Sequence, residues 1–331
     1  MKFGRLPVAL SDGAILAHDV RHQRLTLRKG QTIDACLKAA LREAQVPEVV
    51  TARLEQGDIG ENDAAACIAA ALCGPHVRKD APFTGRCNLF AERAGVLLVD
   101  VAAVHSINDV DEAITLATLA ACRRVAAGDR IATVKIIPFA VSGDSLARAL
   151  GVLRAPALSV APFRNYRVGA ISTILPGLKR ATIEKTLQNL ESRLHRAGAR
   201  IAARFEPAHK TEALAATLAG VAATFDLLVV FGASAISDRR DIIPTAIEAV
   251  GGRVIHLGMP VDPGNLLLLA EIAGRPVIGA PGCARSIKEN GFDSVLDRLL
   301  AGLVVESRDI RRMGVGGLLI EAEPRQDGRE R

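Results

Sequence analysis

From Arg167 onward the chain alternates short apolar runs with helical ones, and no other feature restricts its fold as tightly. RVGAISTIL, ARIAARFE, DLLVVFGAS and RVIHLGM read as strands. Between the first two, Ile183, Leu187, Leu190 and Leu194 recur at spacings of 4, 3 and 4, which predicts a helix with one apolar face. TEALAATLAGVAA and PTAIEAVGG predict two more helices, the second ending on glycines. LLLLAEI and RPVIGAPG read as a hairpin pair, and FDSVLDRLLAG as a final helix. Strands alternating with helices of this length mean an α/β unit built on a parallel sheet flanked by helices. Composition agrees. Only 3% of residues are aromatic and Trp is absent, so the core is made of Ala, Val, Leu and Ile, which suits such a sheet.

The first half is less regular. AILAHDV suggests a strand, TIDACLKAALREA a helix capped by Thr32, and VVTARL a strand. QGDIGENDAAACIAAALCG reads as a turn and a second helix, capped by Glu61 or Asn62 and ended by Gly74. GVLLVDV is expected as a strand, DVDEAITLATLAACRRV as a helix, RIATVKIIPFAV as an extended run near an edge or strand end because of Pro138, and GDSLARALGVL as a helix. APALSVAPFRNYR has two prolines and no period and reads as a linker. The expected division is an N-terminal α/β domain over 1–165, a second domain over 166–303, and a C-terminal extension over 304–331 whose tail, EPRQDGRER, is disordered.

The net charge of +6 favours a small anion as ligand. The basic residues are spread out and few aromatics are available for base stacking, which argues against nucleic acid. Six cysteines at 36, 67, 73, 87, 122 and 283 show no CxxC spacing, so a reducing, cytoplasmic setting is expected and a zinc ribbon is not. No apolar run approaches the roughly 18–20 residues of a membrane span. The histidines at 18, 22, 76, 105, 195 and 209 show no metal-type pairing, and His256 reads as structural.

In open α/β sheets ligands bind beyond the carboxyl ends of the strands. Three loops fall there. In FGASAISDRRDIIP, residues 231–244, Gly232, Ala233 and Ser234 let a ligand approach the backbone, and free N–H groups at the following helix start favour an anion. Asp238 and Asp241 could hold a hydrated Mg²⁺ on a phosphate, or Asp241 could simply cap the helix; both readings stand. The second loop is GMPVDPGN, with Pro263, Gly264 and Asn265. In the third, GAPGCARS, Gly279 and Gly282 allow tight turns while Arg285 and Ser286 donate to an anion. Cys283 would be a nucleophile only if Arg285 and Lys288 lowered its pKa and a base stood in reach; an anion cradle is the better reading.

GASAISDRRDIIPTAI resembles the GGTG-x-x-RRDVTP loop of the molybdenum-cofactor biosynthesis domain, shared by molybdopterin adenylyltransferases and the catalytic part of molybdopterin molybdotransferases. MPVDPGN resembles the PGKP segment of that family and GAPGCARS its GLPGNPVS loop, in the family's order, and the resemblance covers about residues 167–302. ILAHDV, LRKGQTI, VTARLEQGDIGENDAA, TGRCNLFAERAG and KIIPFAV are similar to segments of a molybdopterin-binding family that is joined in some members to a cytidylyltransferase-like domain. The LxAGxSxRMG motif of such a domain is missing, since RRMGVGGLL lacks AGxS, so the chain looks like the pterin-binding half standing alone.

The resemblance implies a protein that binds molybdopterin, or its nucleotidyl or metal-loaded form, during cofactor biosynthesis. The phosphate would lie on Gly282, Cys283, Arg285 and Ser286 and on the loop from Gly232. Asp241 would be catalytic and, with Asp238, would hold Mg²⁺. It further implies a separate cytidylyltransferase or molybdoenzyme as partner, and a homo-oligomer. Departures from the family pattern weigh against full transferase chemistry. The first strand leads into ISTILPGLK without an acidic turn, Phe231-Gly232-Ala233 replaces Thr-Gly-Gly, and Cys283 replaces the asparagine of GNP. The alternatives are a carrier without turnover and an enzyme acting on another small phosphorylated metabolite.

Overall fold

Six strands form the sheet that the C-terminal half was expected to build. They are β1 (Arg167–Ser172), β2 (Arg200–Phe205), β3 (Leu227–Phe231), β4 (Arg253–Leu257), β5 (Leu268–Ile272) and β6 (Arg275–Ala280), in spatial order β2-β1-β3-β6-β5-β4. The computed structural model describes residues 1–22 and 24–319; the tail EPRQDGRER lies outside the described residues. The chain divides into two units, Met1–Ala161 and Pro162–Arg331.

In the second unit β2, β1, β3 and β6 run parallel, whereas β5 pairs antiparallel with both β6 and β4. The sheet is therefore mixed rather than parallel throughout, because the short turn between β5 and β6 is a hairpin and cannot return the chain in the same direction. β4 still runs with the parallel strands, so β1, β2, β3, β4 and β6 all end on one edge.

Along β3 all five residues are buried, and alternate side chains serve opposite layers. Leu227, Val229 and Phe231 pack with Ile183, Leu187, Leu190 and Leu194 of α1 (Arg180–His195) and with Phe292, Val295 and Leu296 of α4 (Gly291–Leu300). Leu228 and Val230 pack with Leu214 and Leu218 of α2 (Thr211–Val221) and with Ile243 and Ile247 of α3 (Ile242–Ala249). A strand buried on both faces reads as an unbroken apolar run, which is why DLLVVF stood out in the sequence.

The first unit departs further from expectation. It holds an antiparallel four-stranded sheet in the order Ile114–Thr118, Arg130–Ile136, Arg86–Ala91, Val77–Lys79, two smaller sheets of three strands, and helices Ala35–Glu43, Glu61–Leu72, Val101–Asn108 and Gly143–Gly151. The segment from Asp109 to Val125 is not a helix. Ile114 and Leu116 are buried while Thr115 and Ala117 are exposed, a period of two that tertiary pairing selects over helical propensity. Val101–Asn108 becomes the helix instead, capped by Asp100. The expected linker contributes strand Leu158–Pro162. Asp34, not Thr32, caps the first helix, and Gly60 rather than Glu61 or Asn62 precedes the second.

Candidate functional site

The three loops singled out in the sequence leave the same edge of the sheet, after β3, β4 and β6. They are joined by specific bonds. The Arg285 guanidinium, in the third loop, donates from Nη2 to the carbonyl of Gly232 in the first at 2.7 Å. Its Nη1 donates to Thr186 Oγ1 at 3.2 Å, and the ring of Phe231 lies 5.7 Å from its centre. Burial pushes its pKa down. Arg285 thus ties two loops together in addition to bringing a positive charge. The Pro263 carbonyl of the second loop accepts the Gly291 N–H where the third loop enters α4, at 2.9 Å.

Two glycines make this approach possible. A Cβ on Gly232 would stand 2.6 Å from the Ser234 carbonyl oxygen and 2.9 Å from Ile243 Cδ1. Gly264 has φ +144°, and a Cβ there would stand 2.7 Å from the Gly291 nitrogen. Gly282, by contrast, is exposed with open space around it.

The third loop is shaped from beneath. Arg193 in the last turn of α1 is buried and donates from Nε to Asp293 at 2.7 Å, from Nη1 to the Ala284 carbonyl at 3.1 Å, and from Nη2 to the carbonyls of Ser286 and Lys288 at 2.7 and 3.2 Å. Asn189 donates to the Arg285 carbonyl at 2.6 Å, and Asn290 to those of Cys283 and Lys288 at 3.4 and 3.0 Å. Carbonyls 283–286 and 288 all accept from these side chains, while the N–H groups of Ala284 and Ser286 turn back to the carbonyls of Pro281 and Cys283 at 3.0 Å each.

The acidic residues stand differently. Asp238 is exposed and bonded to Arg240, at 2.7 Å to Nε and 3.3 Å to Nη2, and this pairing holds its carboxyl down at about 2. Asp241 caps α3: Oδ1 accepts the Ile242 N–H at 2.8 Å and Oδ2 the Ser237 N–H at 3.3 Å. Among the described residues no group of three or more His, Cys, Asp or Glu side chains is gathered where a metal ion could be held. A carboxylate closed on an arginine and another closed on backbone N–H groups do not fit a resident Mg²⁺. Cys283 is half-buried, and burial pushes its thiol pKa up, which is opposite to what a nucleophile needs. Ser286 Oγ accepts the Lys288 N–H at 3.2 Å, and Asn265 is exposed with its carbonyl accepting the Met259 N–H.

Five residues escaped sequence reasoning: Thr173, Thr186, Asn189, Arg193 and His209. Thr173 follows β1 directly and His209 follows β2, and both reach the first loop. Thr173 Oγ1 accepts the Ala233 N–H at 2.8 Å and lies 2.8 Å from His209 Nδ1, while His209 Nε2 lies 2.8 Å from Ser234 Oγ. Their position after strand ends was legible; their convergence on Ser234 was not.

No family model matches the sequence, and no curated relative does. Solved structures give weak likenesses. The molybdopterin biosynthesis MoeA protein from Pyrococcus horikosii aligns at 14% identity over 91% of this chain and 75% of its own, with a TM-score of 0.34. A molybdenum cofactor biosynthesis protein B aligns at 15% identity over 42% of this chain and 96% of its own, with a TM-score of 0.30. A molybdenum cofactor biosynthesis protein from Pyrococcus furiosus aligns at 10% identity over 92% of this chain and 65% of its own, with a TM-score of 0.27. At these values the likenesses carry no argument about this chain's chemistry. No described helix is long and apolar enough to cross a membrane.

Proposed function

We propose that the second unit binds molybdopterin, or its nucleotidyl or metal-loaded form, through the phosphate, and serves molybdenum-cofactor biosynthesis. The observation that carries this reading is that the three loops resembling the family's motifs share one sheet edge and are bonded to each other, Arg285 to Gly232 and Pro263 to Gly291. The phosphate would lie on the turn from Gly282 to Ser286, where the buried Arg193 cluster turns carbonyls inward, and beside Gly232, Ala233 and Ser234. Pro263, Gly264 and Asn265 would border the pterin. Within this reading the carrier without turnover is favoured over the Mg²⁺-dependent transferase, because Asp238 and Asp241 are both engaged in the loop's own bonds. A separate cytidylyltransferase or molybdoenzyme would receive the cofactor.

The test is retention of pterin. Molybdopterin released anaerobically from a molybdoenzyme is mixed with the protein, which is gel-filtered and oxidised to develop pterin fluorescence. Stoichiometric fluorescence is expected. Gly282→Asp should abolish it without unfolding the protein, since the new side chain enters open space and only adds a negative charge. No fluorescence with the wild type, or equal retention by the variant, would defeat the reading and turn the search to other phosphorylated metabolites.

A further inference from the structure

We propose that Ser234, His209 and Thr173 form a nucleophile–base–orienter relay, with Ser234 as an acyl acceptor toward activated esters. This goes beyond cofactor binding and does not depend on it.

The relay requires one tautomer of His209. A threonine hydroxyl has one hydrogen and two lone pairs. Thr173 Oγ1 accepts the Ala233 N–H at 2.8 Å and faces the Phe231 carbonyl at 3.5 Å as donor. In the relay His209 Nδ1, 2.8 Å away, carries the ring hydrogen and donates to the remaining lone pair. That leaves His209 Nε2 unprotonated, 2.8 Å from Ser234 Oγ, so the serine hydroxyl donates to it. In the other tautomer Thr173 donates to Nδ1 and Ser234 is not activated, the outcome that a failed labelling test reports. A hydroxyl within hydrogen-bond reach of a base that is itself oriented by a third group is the arrangement that activates a serine.

Burial supports the same roles. Thr173 is 1% exposed and His209 is 9% exposed, so the ring is held from behind, while Ser234 is exposed at the carboxyl edge of the sheet. Gly232 and Ala233 beside it leave the approach clear of bulk. The orienting group is a neutral hydroxyl, which stabilises an imidazolium less than a carboxylate would. That restricts the substrate to esters with a good leaving group, such as aryl esters or thioesters, and disfavours amides.

Ser234 Oγ bonds to the carbonyl carbon and its proton passes to His209 Nε2. The bond to the leaving oxygen or sulfur breaks, and that atom takes the proton from Nε2. Water then repeats the sequence on the acyl-serine, releasing the acid and restoring the hydroxyl. Thr173 touches no reacting atom and is a positioning residue.

The test uses an alkyl fluorophosphonate on the full chain, with intact-mass and peptide analysis. One adduct on Ser234 is expected, with loss of fluoride, and none on Ser234→Ala. His209→Asn should slow labelling by about 100-fold or more, the usual contribution of a general base. Thr173→Val should slow it and Thr173→Ser restore it, which a merely structural effect of lost volume would not do. If His209→Asn fails to fold, Ser234→Cys on the otherwise intact chain takes its place: at neutral pH iodoacetamide should alkylate the introduced thiol faster than the exposed Cys36. Absence of an adduct, an adduct elsewhere, equal labelling of His209→Asn, or a thiol at position 234 no faster than Cys36 would overturn the proposal.

Discussion

Asp241 shows how one carboxylate in a sequence can point to two different jobs. RRD before a helix fits a ligand for Mg²⁺ and fits an N-cap equally well, and only the bond from the Ile242 N–H distinguishes them. Asp241→Ala should cost about 1 kcal/mol through the lost cap, lowering the melting temperature of its unit by roughly 2–4 °C, whereas Asp241→Asn should cost little. Thermal denaturation of the pair checks this. Under the carrier reading both variants keep their pterin, so loss of retention in Asp241→Asn would reopen the metal role. Gly232 and Gly264 were legible as sites of close approach, because only glycine meets the backbone contacts there without a clash. Arg285 was legible as a cation at the site, but its bond to Gly232 was not, since residues 53 apart in sequence share no local pattern.

Among the elements, α1 carries more than its apolar face announced. Ile183, Leu187, Leu190 and Leu194 were read correctly as its buried stripe, and Thr186 and Arg193 are buried beside it, each directly before one of its leucines, Leu187 and Leu194. A charge in the last turn reads as solvated, yet Arg193 is buried because Asp293 and three loop carbonyls satisfy its donors. Arg193→Met should destabilise the protein by about 3–5 kcal/mol, chiefly by leaving Asp293 buried and unpaired. Urea denaturation measures that cost, and adding Asp293→Leu should recover part of it. Proteolysis should then cut within 283–289 in the single variant and not in the wild type. Unchanged stability would show that the guanidinium does not hold the loop. In the other unit, Ile114–Thr118 was misread because Ala, Leu and Thr suit either period until a partner strand, Arg130–Ile136, chooses one.

At the scale of the whole molecule, each unit has its own hydrophobic core, so unfolding is expected to show two transitions. Acid should separate them. His256, bonded to Ser307, has its pKa lowered below the ordinary 6.5 by burial first and by the charges of Arg311 and Arg239 next. The folded state therefore holds fewer protons than the unfolded one just below 6.5, and stability rises with pH through that window. The contribution is complete above 6.5 and is lost as pH falls toward the folded pKa. Denaturation at about pH 7.5 and about pH 5.5 should show the second unit weakening, and His256→Gln should remove the part due to this imidazole. An identical pH response in that variant would dismiss the assignment.

The strand–helix alternation from Arg167, the apolar stripes and the glycine-bearing loops after β3, β4 and β6 were determined by the sequence itself, because periodicity and backbone freedom are local properties. The tertiary structure alone decided that β4 pairs with β5, that Arg285 bonds Gly232, and that Thr173, His209 and Ser234 meet. These depend on which strands become neighbours and on a few ångströms of separation between segments far apart in the chain, and no local pattern encodes either.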